Sequence, residues 1–162
     1  MAISAGDTLP NATVLRIGAD GPEQVEMDSL TKGRKVVIFG LPGAYTGTCT
    51  SAHVPSFMRT KGDFDAKGVD EINCVSVNDP FVMDAWGDST GAKGAGIAML
   101  GDAGAAFTKA IGMNWTAEPV GFYDRSRRYA MYAEDGVVKV INVEEGPGVC
   151  EVSAGETLLG QI

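Results

Sequence analysis

The run 36-VVIFGLPGAYTGTCTSAHVP-55 passes from β-branched and aromatic residues into glycine, proline and threonine around a single cysteine, Cys49. Nucleophilic sulfur chemistry needs a thiolate, and a free cysteine with a pKa of about 8.5 is only about 3% ionised at neutral pH. Lowering such a pKa to about 6 would ionise roughly 90% of it, a shift worth about 3.4 kcal/mol. The first turn of a helix supplies about 0.3–1 kcal/mol, up to about 2 in a partly buried site. Hydroxyl donors and a cation must supply the rest. Thr46 and Thr48 flank the cysteine, and 125-RSRR-128 is the densest positive cluster of the chain. An arginine hydrogen bond to an ion contributes about 1.5–3 kcal/mol. Arg125 and Arg127 also read as edge-strand charges that deter strand pairing, and spacing alone leaves Arg128 balanced between the two roles.

Other chemistries fit less well. His53, the only histidine, lies four residues after Cys49 and so on the same helix face. A Cys–His pair suggests a hydrolase, but such pairs normally come from distant segments. His53 is better read as a supporting residue beside the site. Cys49, Cys74 and Cys150 are too widely spaced for a zinc site, and no metal or cofactor is expected. Cys49 is followed by Thr-Ser-Ala rather than by a second cysteine two residues on, which argues against a thioredoxin-type dithiol. The glycines of 91-GAKGAG-96 lack the dinucleotide fingerprint. Cys74, mid-strand in 71-EINCVSV-77, reads as a small buried hydrophobe. Cys150, in 146-GPGVCEV-152, reads as the more accessible thiol.

Several elements must position these groups. Thr13 to Ile17 and Gln24 to Met27 read as short strands around the turn 18-GADGPE-23. Lys35 to Leu41 is a near-continuous apolar strand, hence buried on both faces. Cys49 follows its carboxyl end, where reactive groups of open α/β sheets gather. Thr50 to about Lys67 is predicted helical, with Val54, Phe57, Met58 and Phe64 on one face and a kink at Pro55. Glu71 to Val77 is a strand, and Asp79-Pro80 starts a helix that runs to Trp86 or beyond. Ile97 to Leu100 is a short strand and Ala103 to Ile111 a short helix. Arg127 to Ala133 and Val137 to Val143 flank Glu134-Asp135-Gly136, a hairpin signal. Ser153 to Glu156 has capping-box spacing before a last helix, Glu156 to Gln161. The pattern predicts an α/β fold: a mixed central sheet flanked by helices on both faces, with an N-terminal β-hairpin, in a single domain of residues 1–162.

A formal net charge of −8 argues against nucleic acid or an anionic membrane as partner. Three cysteines do not make a secreted disulfide framework. The opening MAISAGDTLPN has neither a basic n-region nor an apolar h-region. A cytoplasmic protein is the expectation.

The segment Pro42-Gly-Ala-Tyr-Thr46-Gly-Thr-Cys49 has the Pro-x-x-x-Thr-x-x-Cys arrangement of peroxiredoxins. The wider chain resembles the type II, or atypical, peroxiredoxin-5-like subfamily through GDTLPNAT, VVIFGLPGAYTGTCTSAHVPSF, VNDPFVMDAW and SRRYAMYAEDGVVKVINVEEG. The resemblance implies a thioredoxin-like fold and thiol-dependent reduction of hydrogen peroxide and alkyl hydroperoxides, an antioxidant activity. It makes Cys49 the peroxidatic nucleophile that becomes a sulfenic acid. Thr46 and Arg128 would hold the thiolate and the peroxide oxygens, and Pro42 would shield the pocket. Cys150 is then the candidate resolving cysteine and Cys74 a lesser one. Recycling by an external thiol, from glutaredoxin with glutathione or from thioredoxin, stays open beside them. A homodimer is implied too. Tyr45 and Gly47 depart from the Phe usual, and the Pro frequent, at those positions. Two other classes remain beside the peroxidase: a redox sensor that passes oxidation to a partner protein, and a chaperone-like structural role.

Overall fold

The computed structural model describes residues 1–162. A seven-stranded sheet forms the centre. Its strands in chain order are β1 (Thr13–Gly18), β2 (Gly21–Glu26), β3 (Lys35–Gly40), β4 (Glu71–Ser76), β5 (Ala98–Gly101), β8 (Tyr129–Glu134) and β9 (Val137–Val143), and their spatial order is β2-β1-β5-β4-β3-β8-β9. β3, β4 and β5 run parallel, whereas β1–β2, β1–β5, β3–β8 and β8–β9 pair antiparallel. The sheet is therefore mixed, with the N-terminal hairpin at one edge. A second, two-stranded sheet joins β6 (Asn114–Ala117) to β7 (Phe122–Ser126).

The unbroken apolar run of β3 is explained by burial on both faces. Val37 and Phe39 face one core with Phe57, Phe64, Ile72, Cys74, Trp86 and Leu158. Val36 and Ile38 face the other with Met27, Leu30, Phe107, Tyr129 and Met131. The first core is capped by α2 (Val54–Ala66), α3 (Pro80–Thr90) and α5 (Gly155–Leu159), and the second by α1 (Met27–Thr31) and α4 (Ala106–Ala110). Helices thus lie on both faces, as the alternating pattern predicts.

Most turn signals act as expected. Asp135 and Gly136 both take positive φ, which a tight two-residue hairpin loop requires. Asp79 caps α3, its Oδ1 accepting from Val82 N at 2.9 Å. The predicted capping box at Ser153 does not form. Ser153 Oγ donates instead to Glu144 Oε2 (2.7 Å), the N-cap of α5 is Ala154, and Glu156 pairs with Arg59. Met27, predicted to end a strand, begins α1. Strands β6 and β7 carry no clear alternation in the sequence and were not predicted. Arg127 and Arg128 lie in the link between β7 and β8 rather than inside a strand.

The helix after β3 differs from expectation in its first turn. Winding begins with Thr50 N–H donating to Thr46 O (3.1 Å). Residues Cys49–His53 then form a π-helical turn that runs into α2, with Val54 N–H reaching back to Cys49 O. Pro55 has no N–H to give the carbonyl four residues earlier, so a regular α-helical ladder cannot run through this point. The predicted kink is this wider turn, and it carries both Cys49 and His53.

Candidate active site

Cys49 is fully buried at the start of the π-turn. Arg128, 2% exposed, reaches it from the β7–β8 link. Arg128 Nη2 donates to Cys49 Sγ at 3.2 Å and to Pro147 O at 2.7 Å. Its Nε also donates to Pro147 O (3.2 Å), and its Nη1 lies 3.0 Å from His53 Nδ1. None of the ion pairs of the molecule involves Arg128. Its other partners are a carbonyl and an imidazole, so no carboxylate competes with sulfur for the guanidinium charge.

His53 is held in one tautomer. Its Nε2 lies 3.0 Å from Ser153 O, and a carbonyl can only accept, so Nε2 carries the proton. Nδ1 is then free to accept from Arg128. Burial, followed by the neighbouring Arg128 charge, lowers the His53 pKa from 6.5 to about 3, against a smaller opposing effect of the Ser153 carbonyl. The ring is boxed by Phe39 and Phe57, at centroid distances of 5.0 and 5.7 Å. A neutral His53 steers Arg128 without adding a second cation.

The loop between β3 and the π-turn is fixed by neighbouring elements. Thr46 Oγ1 donates to Gly43 O at 2.6 Å, which leaves its lone pairs as acceptors for a donor in the pocket. Asn78 Oδ1 accepts from Ala44 N (3.0 Å) and Ser76 Oγ (2.6 Å). Pro42 is buried, and Arg125 Nη1 donates to its carbonyl at 3.0 Å while the guanidinium lies 4.9 Å from the Phe122 ring centroid. Arg125 therefore braces this loop and is no free edge charge, whereas Arg127 is exposed. Thr50, one residue beyond the cysteine, accepts from Trp86 Nε1 at 3.1 Å. Tyr45 adopts φ 65° and is exposed, and Gly47 has open space where a Cβ would stand.

A pocket of about 250 Å³ opens here, lined by Pro42, Thr46, Gly47, Thr48, Phe122, Arg128, Pro147 and Gly148. Arg128 both lines it and touches the sulfur, so the pocket meets Cys49 through the guanidinium. The structure brings together Pro42, Thr46, Cys49, His53 and Arg128, all named from the sequence. It also adds the Pro147 and Ser153 carbonyls, and it gives Arg125, which the sequence left between a cation for the site and an edge charge, the task of bracing the Pro42 carbonyl. Backbone carbonyls leave no mark in a sequence.

The other two cysteines differ in setting. All three are free thiols. Cys74 is fully buried in β4, and burial, then the nearby Cys49 sulfur, pushes its pKa well up. Cys150 is half-buried in the segment that crosses the pocket, and burial again pushes its pKa up. That segment is tied to the π-turn by Thr48 Oγ1 donating to Gly148 O (3.2 Å). No cluster of metal-ligating side chains is present, and no helix is long and apolar enough to cross a membrane.

The seven-stranded sheet with a cysteine beyond the carboxyl end of a parallel strand defines a thioredoxin-like redoxin. The redoxin family model matches residues 4–159. Chloroplastic peroxiredoxin-2E-2 of Oryza sativa subsp. japonica is 48% identical over 160 residues, covering 96% of this chain and 71% of that protein. Peroxiredoxin-2C of the same organism is 42% identical over 158 residues, covering 97% and 96%. Reduced Prx3 from Vibrio vulnificus, crystallised in complex with hydrogen peroxide, superimposes with a TM-score of 0.91 at 45% identity, with 98% of each chain covered. The chain belongs to the redoxin family and, within it, to the type II peroxiredoxins, which makes it a thiol-dependent peroxidase.

Proposed function

We propose that Cys49 is the peroxidatic nucleophile, and that Arg128, Thr46 and Pro42 form its substrate pocket. The observation that carries this reading is the 3.2 Å contact from Arg128 Nη2 to Cys49 Sγ in a buried setting without a competing carboxylate. The thiolate attacks one peroxide oxygen, an S–O bond forms and the O–O bond breaks. The electron pair of that bond leaves on the second oxygen, which takes a proton and departs as water or an alcohol. Arg128 and the start of the helix face the charge that moves from sulfur to the departing oxygen, so they act where charge changes most. The Thr46 hydroxyl, its proton committed to Gly43 O, accepts from the O–H of the bound peroxide and sets its orientation. Pro42 and Pro147 shield the pocket from bulk water.

The product on the enzyme is a Cys49 sulfenic acid, which a thiol condenses to a disulfide with release of water. Glutaredoxin with glutathione, or thioredoxin, returns the sulfur to the thiolate. Cys150 is the internal candidate for the thiol that condenses with the sulfenic acid, because its segment already touches Thr48 and Arg128; the external thiol then reduces the resulting disulfide. The chain would act as one domain over residues 1–162 and pair as a homodimer, consistent with exposed Tyr45, Phe81, Val120 and Tyr123. Thiol-dependent turnover of hydrogen peroxide should vanish in Cys49→Ser, and retained turnover would overturn the assignment of the nucleophile. Steady-state rates with each reductant at equal concentration identify the recycling thiol.

A further inference from the structure

The site depends on a segment whose own anchor lies outside it. Arg128 receives its orientation from Pro147 O, and His53 its tautomer from Ser153 O. Both carbonyls belong to the strap between β9 and α5. A cavity of about 70 Å³ lies against this strap, with Arg128, Glu144 and Pro147 in its lining and Trp115 its one hydrophobic residue. Glu144 closes the strap on itself. Its side chain is 4% exposed, and its Oε2 accepts from Glu151 N (2.7 Å), Ser153 N (2.8 Å) and Ser153 Oγ (2.7 Å). Its own N–H donates to Arg128 O at 3.0 Å. One residue thus joins the backbone of Arg128 to both ends of the strap that orients the Arg128 and His53 side chains.

We propose that Glu144 is a positioning residue for peroxide reduction. By closing the strap it aims the Arg128 guanidinium at the reacting sulfur and oxygens, although it touches neither. A buried carboxylate that accepts three hydrogen bonds from one loop fixes that loop in a single conformation, and a displacement of about 1 Å at a catalytic group can cost roughly a hundredfold in rate. The inference rests on the assignment of Cys49 as nucleophile.

The test compares Glu144→Ala, Glu144→Gln and Ser153→Ala with the wild-type protein in single-turnover experiments. Two rates are read on Cys49: oxidation by hydrogen peroxide and alkylation by iodoacetamide. Both rates are read at a pH high enough for Cys49 to be fully ionised in every protein, so that a change in thiolate fraction affects neither. Peroxide reduction then still requires Arg128 to be placed on the departing oxygen, whereas alkylation, which releases iodide, does not. Glu144→Ala should slow oxidation by roughly tenfold or more while alkylation changes by less than about threefold. Glu144→Gln, which still offers a carbonyl oxygen to the strap, should stay within about threefold of wild type in both. Ser153→Ala loses one of the three bonds, should shift the oxidation rate in the same direction by a smaller factor, and decides the matter if Glu144→Ala does not fold. Equal loss in both rates, or a lowered melting temperature with unchanged oxidation, would overturn the role of Glu144. If wild-type protein itself shows no oxidation at Cys49, the nucleophile assignment fails first, a different result from wild-type oxidation that the variants leave unchanged.

Discussion

Acid should destabilise this protein through His53, and the size of the effect follows from its surroundings. An unfolded histidine titrates near 6.5, while burial and the Arg128 charge lower the folded value to about 3. Between these two values the unfolded chain binds a proton that the folded chain refuses. Stability contributed by the neutral ring is therefore fully present above pH 6.5 and is lost as pH falls toward 3. At pH 4.5, two pH units below the unfolded value, the loss is about 3 kcal/mol at about 1.4 kcal/mol per unit. Carboxylates titrate in the same range, so the experiment is a difference. Urea denaturation of wild type and His53→Gln is measured at pH 7 and pH 4.5. The glutamine protein loses contacts at both pH values, but that pH-independent loss cancels. Wild type should lose about 3 kcal/mol more than His53→Gln over this interval. Because His53 is the only histidine, its ring protons in the folded protein also give an unobstructed NMR signal, which should not titrate between pH 8 and pH 4.5. A midpoint near 6.5, or equal losses for the two proteins, would refute the picture of a neutral, doubly anchored ring.

Arg128→Lys should slow Cys49 oxidation roughly ten- to hundredfold, because an ammonium cannot serve sulfur, imidazole and carbonyl from one plane; stopped-flow mixing with peroxide reads it. Cys74→Ala should keep thiol-dependent turnover within about twofold and cost about 1 kcal/mol in urea denaturation, as expected of a buried sulfur that packs and does not react. Gly47→Ala should raise stability by about 0.4–1 kcal/mol, since a Cβ there meets open space and the backbone is not left-handed, read as a shift of the denaturation midpoint.

How far the sequence led can be judged element by element. The apolar run at 35–41, the Asp79-Pro80 start of α3 and the Glu134-Asp135-Gly136 hairpin were legible because each depends on local chemistry: burial on two faces, a cap, a positive φ. The failures are places where distant groups win. Ser153 has the spacing of a capping box, yet its hydroxyl goes to Glu144, nine residues earlier in sequence and buried with it. The π-turn needed the absent N–H of Pro55 to be weighed together with the packing of Cys49 and His53. In the site, Cys49, Thr46 and His53 are close in sequence and could be read together. Arg128 could be tied to them only by the family resemblance, because a 79-residue separation carries no spacing signal. The anchoring of Arg128 by Pro147 O was out of reach altogether, since any residue type can supply a carbonyl.

The most direct measurement is the mass of the Cys49 peptide seconds after reduced protein meets one equivalent of hydrogen peroxide, with a sulfenic-acid trap present and no added thiol. Trapped sulfenate on Cys49, or a disulfide that joins Cys49 to another cysteine, is the predicted result, with neither formed in Cys49→Ser. Unmodified Cys49 beside oxidised Cys74 or Cys150 would contradict the assignment of Cys49 as the sulfur that Arg128 prepares for attack.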